Sequence, residues 1–460
     1  MSTLILVPGL ICFFFVVSGR MDTALLSVYL PTAFLLPPTY SIRLPHLPEL
    51  SISEICVIPL GVAAFIRLIR NGHLILMDFL VASFLFSLTI SEVLYEHVTK
   101  DGIMIAIISF ISMFLPYAIG RTMIEPSNRI AVARRIVLFV LFLGVPGAYE
   151  WRMGRNLYAP IGKLFDVDMS PFIQLRNGRG RFAASFLQSE MAGTGIAMAV
   201  ALNAWLAFLW RTKSRLNPGE IFTILEKYHV AEILLLIYVY LTQSRGPELA
   251  LIAGYLIFQI PRFKNMKMAT TVVAILLAIG AASAYQYFNQ LTTVANINAI
   301  HDEEQGSALY RRRMLELFQP ILERGGWLGW GYKSFPHARG LGNLGNGVQS
   351  VDNKFLYVDL GQGRLGFMLF ILIAVESVRI PLIRSWRLQS LEDRAFAVCM
   401  SAAMVMLWIA LATVYMGAQL PQVGFLLIGW GQSIAPGSES TVDSEELAAV
   451  PQFYFRRVFS

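Results

Sequence analysis

Three arginines in a row, Arg311, Arg312 and Arg313, lie in the one long polar stretch of an otherwise apolar chain, from His301 to Asn353. That stretch closes on Asp352 and Asn353 and carries His337 within a glycine-rich tract. Guanidinium groups grip phosphate oxygens through paired hydrogen bonds and stabilise the negative charge that grows on a departing phosphate. A carboxylate at a water-poor surface gains affinity for protons and serves as a general base. The combination suits attack by a hydroxyl as a phosphate or pyrophosphate leaves. Asp352 is the candidate base, Asn353 a group that orients substrate or backbone, and His337 a further acid–base candidate. Asp352 equally suits the N-cap of the helix expected to follow it.

Two arginines outside the stretch join the anion-binding candidates. Arg245 sits at a tight turn between two apolar runs, where Gly246 leaves room for a ligand. Arg181 stands at the mouth of another apolar run. Successive helical residues turn by about 100°, so among Arg311, Arg312 and Arg313 one or two face a site while another faces solvent. The sequence leaves that choice open; Arg312 and Arg311 are carried forward. The plain alternatives are headgroup contact for Arg245 and pairing of the others with Asp166, Asp168, Glu303, Glu304 or Glu316.

Membrane helices must position these groups. Of 460 residues 56% are hydrophobic and 15% charged, with a mean hydropathy of +0.58. No soluble core needs that much apolar surface. Runs near the length of about 20 residues that crosses a bilayer recur at 3–17, 22–37, 52–69, 74–94, 102–120, 134–150, 184–210, 229–243, 247–260, 268–287, 354–377, 395–416 and 419–433. They predict an all-α polytopic membrane protein with about 12–13 transmembrane helices, a single integral-membrane domain over 1–460.

Basic residues favour cytoplasmic loops. The alternating loops with Arg20, Arg67 and Arg70, Arg121 to Arg135, Arg211 to Lys227, Arg262 to Lys267 and Arg379 to Arg394 are therefore expected inside, with a cytoplasmic tail at 434–460. A large loop at 287–353 containing short helices and a second loop at 151–183 then fall on the far side. Both are rich in arginine against the rule, which calls for another reason, and an anionic ligand supplies it. The net charge of +7 belongs to these loops; no basic domain exists for nucleic acid.

Other signals point to structure. Cys12, Cys56 and Cys399 fall inside apolar runs and are expected to pack. No H-E-x-x-H, paired-cysteine or D-x-D motif occurs in the far-side loops, so no metal is expected. The glycines at 325, 326, 329, 331, 340, 342, 345 and 347 lack the phosphate-loop pattern and are read as a mobile lid over a large substrate. Trp327, Trp330, Tyr332 and Phe335 are expected mainly to anchor the loop at the bilayer interface. Glu92, Glu190 and Glu232 are the acids within runs that a transport path would use.

Three local patterns resemble the integral-membrane O-antigen ligase and O-antigen or exopolysaccharide repeat-unit polymerase family: GRFAASFLQSEMAGTGIAMAVAL at 180–202, LTQSRGPELALIAGYLIF at 241–258, and the loop sequences RRRMLELFQPILERGGWLGWGYKSF and SVDNKFLYVDLGQGRLGF. The resemblance implies a helical fold of the GT-C type in the bacterial inner membrane. It implies transfer of a glycan from polyprenyl pyrophosphate to an acceptor hydroxyl on the periplasmic face, with no cofactor and no obligatory metal. The lipid-linked oligosaccharide is then the substrate, and a chain-length regulator an expected protein partner. Ligases of the family typically have histidine where this chain has Asp352, and Asp-Asn resembles polymerases, so polymerase is the leading reading. Ligase is the alternative within the class, and transport of a lipid-linked glycan the alternative outside it.

Overall fold

The computed structural model describes residues 2–43, 45, 47–96, 99–165, 174–176, 178–213, 229–263, 265–292, 303–332, 351–417 and 419–434. His337, Asp166, Asp168, Phe335 and the 435–460 tail lie outside the described residues.

The chain forms α1 Leu6–Val17, α2 Met21–Leu35, α3 Ile52–Arg70, α4 Leu76–Leu94, α5 Gly102–Thr122, α6 Arg129–Met153, α7 Ser189–Trp210 and α8 Val230–Leu241. It continues through α9 Arg245–Phe258, α10 Met266–Thr292, α11 Glu303–Gly325, α12 Lys354–Ser385, α13 Leu391–Leu411 and α14 Leu420–Gln432. Every expected span is helical, and the protein is an all-α polytopic membrane protein. Among the described residues eight helices are long and apolar enough to cross a membrane: α3 to α7, α10, α12 and α13. At about 1.5 Å per residue, the 12 residues of α1 or α8 reach only about 18 Å of the roughly 30 Å needed. Apolar composition alone did not separate these short helices from full spans.

α7 is the centre of the bundle, and its small residues are the reason. Ala192, Gly193, Thr194, Gly195 and Ala197 let neighbours approach closely, as membrane helices without a hydrophobic driving force require. A Cβ on Gly193 would lie 2.7 Å from Cγ of Pro247 in α9. The three cysteines are buried, Cys12 donating to the Cys56 carbonyl at 3.2 Å and Cys399 to that of Ala201 at 3.0 Å.

Two faces sit at opposite helix ends. On one, Arg67 pairs with Glu125 (2.6 Å), Arg129 with Asp393 (2.5 Å) and Arg384 with the Gln432 carbonyl (2.9 Å). These are charges of the loops expected to be cytoplasmic. On the other face, Tyr40 Oη donates to the Tyr158 carbonyl (2.7 Å), and Gln419 Nε2 to those of Leu36 and Ser185 (both 2.8 Å). Phe182 N there donates to Leu241 O (3.1 Å) and Lys354 N to Val414 O (3.1 Å). Among the described residues, then, charged residues of the 67–70, 121–135 and 379–394 segments meet at one end of the bundle.

The described part of the glycine tract is a wedge rather than a lid. α12 breaks at Gly363 (φ 67°, ψ −168°), a conformation open to glycine alone. Residues 326–331 fill the break: Trp330 N and Gly331 N donate to the carbonyls of Leu360 and Gly361 (2.9 Å each), while Arg364 N donates to Gly326 O (3.2 Å). A Cβ on Gly329 would meet Gly363 N at 2.4 Å, so both positions need glycine for backbone contact. α4 satisfies the remaining polar groups. Ser87 bonds Gln362 (2.7 Å), Ser91 donates to Gly361 O (2.5 Å), and Glu92 accepts from Tyr332 N (2.6 Å). Trp330 accordingly is anchored in protein, its indole donating to Ile321 O (2.9 Å), whereas Trp327 is exposed.

Candidate functional site

Five separate segments bring arginines and carboxylates together on the second face. The first is a two-strand hairpin, Leu175–Arg176 against Arg179–Gly180, turned by Gly178 (φ 73°). It carries Arg176 and sets Arg181 just beyond its second strand. The second is the turn 242–244 between α8 and α9. Gln243 adopts φ 50° there, in the left-handed region. Its carbonyl accepts from Arg176 Nη1 (2.6 Å) and Arg181 Nη2 (3.3 Å), while Thr242 O accepts from Arg181 Nε (3.0 Å).

Arg181 completes its coordination with Glu190 in the first turn of α7 (2.6 Å) and with Gln174 Oε1 (3.4 Å). Four of its five N–H directions are thus taken by protein. It holds the 242–244 turn against the mouth of α7, a positioning role, and has little left for a ligand. Gly246, expected to admit a ligand, instead admits the α13–α14 linker: a Cβ there would lie 2.0 Å from Thr413 Oγ1.

Arg245 is the first residue of α9 and is exposed. The helix dipole adds positive potential at that end, so guanidinium and dipole together favour an anion. Glu248, one turn on, lies within electrostatic reach of Arg245 and Arg176.

α11 resolves the arginine triplet. Met314 and Phe318 bury against Leu356 and Leu360 of α12. Arg311 stands three residues before Met314, on the same stripe, and is carried to the cluster. Burial pulls its pKa below the ordinary arginine range; Asp352 and Glu190 oppose that shift, and Arg245 and Arg176 add to it. Arg312 points elsewhere: it bonds Glu316 (2.9 Å) and the Thr292 carbonyl (3.3 Å) at the end of α10. The turn of about 100° between neighbours separates the two.

Asn353, not Asp352, caps α12. Its Oδ1 accepts from the amides of Phe355 (3.0 Å) and Leu356 (3.1 Å). That leaves the Asp352 carboxylate to the site, within electrostatic range of Arg311 and of Tyr415 in the α13–α14 linker. Burial, then Asp352, raises the Tyr415 phenol above its usual value. Among the described residues the cluster thus brings together Arg176, Arg181, Arg245 and Arg311 with Glu190, Glu248 and Asp352. Such an arrangement attracts an anion and keeps a carboxylate beside it. Among the described residues no three His, Cys, Asp or Glu side chains gather as metal ligands.

Arg176, Glu248, Tyr415 and Lys354 were not among the sequence candidates. Lys354 is 5% exposed and lies over the rings of Tyr332 (5.4 Å) and Tyr357 (5.0 Å). A lysine directly after Asp352–Asn353, at the start of an apolar run, is the signal that marks it; Tyr415 has none. The acids of the transport alternative do not line up. Glu92 serves the 326–332 wedge, Glu190 pairs with Arg181, and Glu232 bonds His229 (3.0 Å) at the far end of α8.

Residues 230–371 match the family model described as O-antigen ligase. The match to that family model agrees with the resemblance of the second and third patterns; the pattern at 180–202 lies outside it. Arg245, Arg311 and Asp352 fall within it, and Arg176, Arg181 and Glu190 before it. No curated protein matches the chain.

Proposed function

We propose that this protein transfers a glycan from polyprenyl pyrophosphate to the hydroxyl of another lipid-linked repeat unit on the periplasmic face of the membrane, as a polysaccharide polymerase. The acceptor oxygen attacks the anomeric carbon, and Asp352 takes the hydroxyl proton. The bond from that carbon to the pyrophosphate oxygen breaks, and its electron pair leaves with the pyrophosphate. Arg245, Arg311 and Arg176 stabilise that charge, because guanidiniums already held in place need little reorganisation as it develops. The observation that carries the reading is the approach of Arg311 to both Asp352 and Arg245 from separate segments, which sets a proton acceptor beside a cationic anion site.

The family description favours a second reading, a ligase that moves finished glycan to a lipid or protein acceptor. The two share the donor and the leaving group and differ in the acceptor. Purified protein in lipid nanodiscs, given lipid-linked repeat units with chelator and no nucleotide, is expected to yield a ladder of lengthened products. A single transfer to a different acceptor assigns ligase instead, and no change in glycan linkage rejects both.

A further inference from the structure

A cavity of about 420 Å³ opens on the same face, walled by Thr39, Ser41 and Glu49 near the short hairpin that precedes α3, by Gln188 at the entry to α7, and by Tyr415. Its volume falls within the roughly 300–1,000 Å³ of small-molecule sites. It borders the arginine cluster at two points. Tyr415 lies within electrostatic reach of Asp352, and Gln188 stands two residues before Glu190.

The chemistry of the cavity is the reverse of the cluster's. Its polar lining consists of hydroxyls, an amide, a phenol and the carboxylates of Glu49 and Glu54; among the described residues no arginine or lysine lines it. Both carboxylates are held in place. Glu54 accepts from Ser51 (2.8 Å) and Ser112 (2.8 Å), and Glu49 bonds Ser41 and pairs with the exposed Arg43 (2.7 Å). A phosphate entering here would meet fixed negative charge, whereas a sugar would find hydrogen-bond acceptors and donors suited to hydroxyls.

We infer that this cavity binds the acceptor end of the reaction, a neutral, hydroxyl-rich glycan terminus, with Tyr415 at the border where its hydroxyl meets Asp352. The inference rests on the glycan-transfer reading above and adds a second subsite selective against anionic sugars. Pyrophosphate and acceptor then meet at Asp352, one held through arginines and one through hydroxyls and carboxylates.

The test uses the full-length protein in nanodiscs with the repeat-unit oligosaccharide released from its lipid as soluble acceptor. Gln188→Leu removes one hydrogen-bonding amide and Thr39→Trp fills the cavity. The expected result is a rise of about tenfold or more in acceptor KM, the loss of one hydrogen bond, with donor KM moving far less. Oxidising the primary hydroxyls of the acceptor to carboxylates is expected to weaken it, and Glu49→Gln to restore part of the loss. Acceptor KM unchanged in both folded variants overturns the inference. Should the wild type show no transfer, the function reading fails separately. The cavity is then judged by saturation-transfer binding of the same oligosaccharide: binding lost in Thr39→Trp sustains it, and equal binding rejects it.

Discussion

Arg181 lies 2.6 Å from Glu190, and the same guanidinium holds the carbonyls of Thr242 and Gln243, so one side chain joins the mouth of α7 to the α8–α9 turn. Removing it leaves a part-buried carboxylate and two carbonyls without their donor. Arg181→Ala is expected to destabilise the fold by about 2–3 kcal/mol, below the full cost for a wholly buried pair because both partners retain some exposure. Thermal melts in detergent measure it. Donor KM of the folded fraction is expected to change little, and a large rise there would make Arg181 a ligand rather than a support.

The neighbours Arg311 and Arg312 should behave oppositely. Arg311 has its pKa lowered by burial among other cations. A group with a depressed folded pKa contributes stability only above its unfolded value and loses it as pH falls through the folded one. At any working pH the charged side chain therefore opposes folding. Arg311→Met is expected to abolish transfer while raising Tm by about 1–2 °C. Arg312→Met, which breaks an exposed pair worth about 0–1 kcal/mol, should keep activity. Activity retained in the first and lost in the second would reverse the assignment.

Asn353 caps α12 through its side-chain oxygen. Asn353→Ala is expected to cost about 1 kcal/mol, and Asn353→Ser, another good cap, to recover most of it. Turnover that recovers together with stability marks the residue as a support for Asp352. Turnover lost in Asn353→Ser despite a normal melt would give its amide a direct part in the reaction.

Gly363 and Gly329 meet backbone to backbone where the wedge enters α12. Gly363→Ala forces a side chain into a glycine-only conformation and a contact of 2.4 Å, and is expected to destabilise by about 2–4 kcal/mol. Limited proteolysis is expected to cut within 326–331 in the variant and not in the wild type. Equal resistance in both would restore the view of this tract as a loose cover.

Much of this architecture is legible in the sequence because lipid imposes a simple code: apolar runs become helices, and loop charge sorts their ends. Arg245, Arg311 and Asp352 stand out because cations and acids are costly at helix ends near lipid. The choice of Arg311 over Arg312 is not legible, because which stripe of α11 is buried emerges only when Met314 and Phe318 pack on α12. Nor is the glycine wedge, because contact between Gly329 and Gly363 leaves no periodicity and a tight backbone crossing has the same composition as a loose loop. Tyr415 was hidden for a similar reason: a single tyrosine in a short linker acquires meaning only when α12 brings Asp352 beside it. Arg181 was conspicuous as a cation, but its four protein partners come from segments whose meeting the sequence does not announce.

The central claim is that Arg245 and Arg311 hold a pyrophosphate while Asp352 takes the acceptor's proton. Its most direct test is donor binding and turnover measured side by side in nanodiscs with lipid-linked repeat units. Asp352→Asn is expected to bind donor like the wild type and to transfer nothing, whereas Arg245→Ala and Arg311→Met are expected to lose donor binding. Wild-type turnover in the Arg245→Ala, Asp352→Asn double variant would contradict the account.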